Sequence, residues 1–173
     1  MCNKIMRPFT TLITVIVLLL AGACDSVNNK EVPNFTVRID LSGQGIWNTY
    51  GVSGVGEWRI FNRVKKIPGN FPFTANTYTG YAGVLLIMGL DSSTGDYCPL
   101  AFDAACPVEN SMDIAVTIDA DNFEAVCPQC GSRYNVLTGM GGPVSGIAAG
   151  SKYGLRVYHA RSATSGGYII TSY

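Results

Sequence analysis

Two short segments hold the thiols best spaced for chemistry. The first reads Cys106-Pro107-Val108-Glu109, and the second Cys127-Pro128-Gln129-Cys130-Gly131-Ser132-Arg133-Tyr134. Thiolates carried on two such loops can close on one small inorganic centre. In an oxidising compartment they can instead pair as disulfides. The second segment suits a metal-binding turn, because Pro128 pre-sets one dihedral and Gly131 tolerates positive φ. Backbone N–H groups can then turn toward sulfur. A Cys-x-x-Cys also occurs in zinc knuckles and in thioredoxin-type redox sites. The thioredoxin reading needs a helix opening inside a βαβ unit, and no such pattern is visible here.

The elements that must position these loops read as strands. Phe35 to Leu41 alternates apolar and polar residues with period two, and Glu57 to Arg63 does much the same. Val84-Leu85-Leu86-Ile87-Met88 is short and continuously apolar, as a buried strand would be. Segments 98–103, 114–118, 123–126, 133–137, 155–158 and 168–171 are further strand candidates. Residues 65–79 hold Pro68, Gly69 and Pro72 and read as a loop. No segment carries a helical stripe of ten or more residues, and no internal repeat is evident. Short strands separated by Gly, Asn and Asp predict an all-β antiparallel sandwich or barrel, with the two cysteine loops together at one tip.

At 173 residues the chain is long enough for one domain with a real core. Its start reads as a targeting segment. Lys4 and Arg7 precede an apolar run from Thr10 to Leu20, then Ala21-Gly22-Ala23 and Cys24. The run is short for a bilayer span and fits a signal peptide. Small residues directly before a Cys resemble a bacterial lipoprotein processing site, although Ala21 stands where Leu is usual. The resemblance implies a signal peptide over 1–23, acylation of Cys24, a polar tether to residue 34, and a β domain over 35–173. It places the protein in the bacterial cell envelope, membrane-anchored and facing periplasm or cell surface. Without the leader the charges are 10 basic against 12 acidic. That balance gives no electrostatic footprint for nucleic acid.

The order of motifs around the thiols resembles the Rieske iron–sulfur family. Ala101-Phe102-Asp103 looks like the strand leading into the first cluster loop. Gly131 to Gly139 looks like the segment after the second loop, Gly142 to Ala148 like the loop covering the cluster, and Leu155 to Tyr158 like the strand that follows. The similarity runs from about Val84 to the C-terminus. It implies a Rieske-like sandwich and a [2Fe–2S] centre with Cys106 and Cys127 as thiolate ligands. Ser132 matches a hydroxyl that hydrogen-bonds a bridging sulfide, and Tyr134 a phenol that bonds a ligand sulfur. Such bonds raise the potential of the cluster. The family's two His ligands are missing, with Val108 in the place of the first and Cys130 in the place of the second.

Three outcomes stay open. A [2Fe–2S] centre could use Cys106, Cys127 and Cys130, with Cys98 or Glu109 fourth. Its extra thiolate would push the potential below the usual Rieske range of about −150 to +300 mV. The same thiols could hold Zn²⁺, or bind no metal and pair as disulfides. The first implies an electron carrier with a redox protein partner. The others imply a structural or binding module. No catalytic constellation stands out. His159, the single histidine, reads as a strand residue with no role, and Trp47 and Trp58 read as core.

Overall fold

The computed structural model describes residues 26–138 and 140–173, and it is all-β. The segment read as a leader, with Cys24, lies outside the described residues. Eleven strands and two short helices follow in order: β1 (Val37–Ser42), α1 (Gln44–Tyr50), β2 (Trp58–Phe61), β3 (Tyr78–Thr79), β4 (Val84–Leu90), β5 (Tyr97–Asp103), β6 (Thr117–Asp119), β7 (Glu124–Val126), β8 (Arg133–Asn135), β9 (Pro143–Ser145), α2 (Ile147–Ser151), β10 (Val157–Ser162) and β11 (Gly167–Thr171). They form an antiparallel sheet of order β2-β4-β5-β10-β11-β1-β3 and a smaller one of order β6-β7-β8-β9. The large sheet curls until it is nearly a barrel, and Arg63 N donates to Thr79 Oγ1 at 3.2 Å where the ends of β2 and β3 approach.

Period two explains the packing. Val37, Ile39 and Leu41 of β1 point into the large sheet's core with Phe61, Phe71 and Ile170. The unbroken apolar run of β4 has a different reason. Val84 and Leu86 enter that same core. Leu85 and Ile87 point the other way, into a second core with Cys106, Cys127 and Tyr134. The seven-pair ladder of β4 with β5 is therefore a wall between two cores. A strand buried on both faces has no polar side to show.

The structure departs from the sequence reading at several places. β3 falls inside the stretch read as loop, and β9 inside the covering segment. Helix α1 was not anticipated, since seven residues are too few to establish a helical period. The tether does not hang free from Asn28 onward. Asn28 bridges Tyr153, Val32 is buried, and Arg156 Nε donates to Val32 O at 2.7 Å. Among the described residues no helix is long and apolar enough to cross a membrane.

Candidate metal centre

Cys106 follows β5 by three residues, and Cys127 follows β7 directly. Each opens a turn of the same build. Asn110 N donates to Cys106 O at 2.8 Å, and Gly131 N donates to Cys127 O at 3.0 Å. Both turns end at positive φ, 47° at Asn110 and 70° at Gly131. The chain thus repeats Cys-Pro-x-x-Asn/Gly, a repeat too short to register as periodicity in the sequence. It aligns Val108 with Gln129 and Glu109 with Cys130.

The two turns bring three thiols together. The sulfurs of Cys106, Cys127 and Cys130 all lie within 4.8 Å of one another. Cys106 and Cys130 are 3.7 Å apart. Cys106 and Cys127 are fully enclosed, whereas Cys130 is half-buried. The Tyr134 hydroxyl lies 3.3 Å from Cys106 Sγ. Ser132 Oγ lies 3.2 Å from Cys130 Sγ and accepts from Ala148 N at 3.2 Å. That last bond seats α2 over the second loop. A Cβ on Gly146 would come within 2.9 Å of Ser132 Cα, so only glycine lets the cover lie this close.

The electrostatics are asymmetric. Burial pushes the Cys127 thiol up to about 12, so it is protonated at neutral pH when no metal is bound. Burial also opposes the thiolate of Cys130. There the Ser132 hydroxyl and N–H and the neighbouring thiols win, and its pKa falls below the ordinary value. Burial raises Tyr134, and the nearby Cys106 adds to the rise.

Asp103 fastens the first loop to the body. Its carboxylate accepts from Tyr81 N (2.7 Å), Ala82 N (3.1 Å), Ala105 N (2.8 Å) and the Tyr158 hydroxyl (2.6 Å). Burial pushes its pKa up against those four donors. Asp103 was read only as part of a strand. A charged residue closing an apolar strand, just before a thiol loop, was the signal available.

Cys98 does not join the thiols. It stands at the opposite end of β5, and a strand's rise carries the chain about 17 Å from Cys98 to Asp103. Half-buried opposite Gly89, it is not a fourth ligand to this group. Nor is His159, which is exposed on β10 opposite Thr171. Val108 packs into the second core. Glu109 is half-buried, and its carboxylate is outside the three-sulfur group.

The donor set offers three of the four ligands of a four-coordinate thiophilic ion. A tetrahedron with metal–sulfur bonds of about 2.3 Å has edges of about 3.8 Å, close to the 3.7 Å between Cys106 and Cys130. A binuclear cluster takes four protein ligands spread over two irons. The three sulfurs fall one short of four for the cluster and for the single tetrahedral ion alike. No family model matches the chain, and no curated protein matches it.

Proposed function

We propose that this chain is a Rieske-like binding or structural module whose cysteine loops are stapled by a single Zn²⁺ on Cys106, Cys127 and Cys130. The observation that carries this reading is the convergence of three sulfurs within 4.8 Å of one another. The two enclosed thiols and the half-buried one supply three of the four positions zinc takes, and water or a carboxylate can supply the last. When bound, the ion supplies charge neutralisation and a cross-link. The protein's own residues supply the shape: Pro107 and Pro128 start the turns, and Ser132 ties the cover to the second loop. Electron transfer through a [2Fe–2S] centre to a redox protein partner is the second reading. The Tyr134 and Ser132 hydroxyls on the thiols favour it, since such bonds stabilise a reduced centre.

The leader supports an envelope lipoprotein anchored through Cys24. The described domain is already docked at Asn28. Four residues span at most about 14 Å, so the domain would ride close to the bilayer. The test is metal and sulfide content with an absorption spectrum, on the full-length chain purified in detergent without oxygen. About one zinc per chain and no colour is the expected result. Two irons and two sulfides, with visible bands bleached by reductant, would establish the electron carrier instead. No metal, with two thiols lost to titration, would mean a disulfide. Mass spectrometry of the N-terminal peptide tests the acyl group on Cys24.

A further inference from the structure

A second site, whose lining includes none of the three thiols, lies where the two sheets meet edge to edge. β2 is the outer strand of the large sheet and β6 the outer strand of the small one. Between them is a cleft of about 770 Å³. Residues 56–60 line it consecutively, as do residues 115–117. Side chains alternate along a strand, so the consecutive lining by residues 58–60 means that the cleft meets the edge of β2, and residues 115–117 close it where the chain enters β6. Its walls are mainly apolar, with Trp58, Ile60, Ile67, Pro68 and Val116. Trp58 is 37% exposed, not core as the sequence suggested, and Ile67 is 42% exposed.

The polar groups of the cleft are mostly used within the protein. Glu57 accepts from Ser53 N and Gly54 N and pairs with Arg59 at 2.7 Å. Buried Asn62 donates to Ala82 O and accepts from Lys65 N. Lys65 is different. Its ammonium donates to the Asp113 carbonyl at 3.4 Å, and among the described residues no carboxylate pairs with it. An apolar hollow of ligand size with one uncompensated cation suits an amphiphile with one negative end.

We infer that the cleft between β2 and β6 binds a single-chain fatty carboxylate, its tail against Trp58 and Ile67 and its carboxylate at Lys65. The inference is independent of any metal at the thiols. The experiment is calorimetric titration of the full-length, detergent-exchanged protein in nanodiscs with dodecanoate, and separately with dodecanol, below micelle-forming concentrations. Empty nanodiscs give the partition background. One saturable dodecanoate site per chain in the micromolar range is expected. Lys65→Glu should weaken dodecanoate about tenfold or more, since it reverses a nearby charge, and leave dodecanol unchanged. Thr117→Phe should fill the cleft and remove both. Lys65 and Thr117 are exposed, so neither change disturbs the core. Absence of saturable binding above background would overturn the inference. So would undiminished dodecanoate binding in either variant.

Discussion

The large sheet and the small one solve the same problem with different means. The large sheet is built on long ladders, with seven paired positions between β4 and β5 and five between β1 and β11, and only its outer strand β3 is shorter than three residues. Its core is also tied by edge-to-face rings, Phe61 on Phe71 and Phe71 on Phe73, with centroids 5.2 and 4.8 Å apart. Every strand of the small sheet has three residues. Three residues are few for a strand to hold its register. The small sheet compensates by sharing β4 and β5 as a wall and by drawing its thiols into the core. The contrast teaches that where the ladders are short, a strand shared with the larger sheet and a packed second core can hold the small sheet in place.

The strongest way to break the comparison is to remove the proposed metal cross-link. On the zinc reading, Cys127→Ala or chelation should speed hydrogen exchange at β7 and β8 amides by about 10³-fold or more, while β4 and β5 amides keep their protection. Equal exchange in both forms would show that the small sheet stands without a staple. Phe61→Ala addresses the other region. It should cost about 3–5 kcal/mol in denaturant unfolding through the cavity it leaves. Metal stoichiometry should stay unchanged in the folded protein, and a loss of metal there would show that the two cores are not separable.

Asp103→Asn probes the joint between them. The amide sets a donor against backbone N–H groups that need an acceptor, at a cost of about 2–4 kcal/mol. Calorimetry should then resolve two transitions where the parent shows one. A single transition shifted as a whole would place Asp103 inside one region only. The smallest effect belongs to the rim of the small sheet, where Arg133 donates to Asp119 and Glu124. The Arg133 hydrogen bond holds Asp119 down at about 2. A depressed carboxyl stabilises the fold above its unfolded value of 3.8 and loses that contribution as pH falls toward about 2. Asp119→Asn should flatten the midpoint-against-pH curve in that window, and salt should flatten it too. A parent curve as steep at high salt would contradict the assignment.

Much of the fold was legible because strand periodicity is written locally. β1, β2 and β4 fall on segments whose alternation or apolar run announced them, and β5, β7, β8 and β11 fall on the further strand candidates. β3 was hidden in a segment dominated by turn residues, since a two-residue strand carries no period. Of the site, Cys106, Cys127, Cys130, Ser132 and Tyr134 are brought together as their order suggested. Cys98 was misjudged because a residue count between cysteines does not show that the intervening chain is one extended strand. Trp58 was misjudged because its strand is an edge, and edge position depends on what pairs with it.

The sequence by itself determined the β class, the thiol-bearing turns and the buried face of β1. These follow from residue type and spacing within a few positions, where backbone sterics and side-chain alternation act. Only the tertiary structure decided that β4 serves two cores, that three thiols and not four converge, that Asp103 fastens the first loop, and that a cleft opens between β2 and β6. Each of those depends on which distant strands pair and in what register. That choice is made by the burial of the whole chain at once, and no short window of residues contains it.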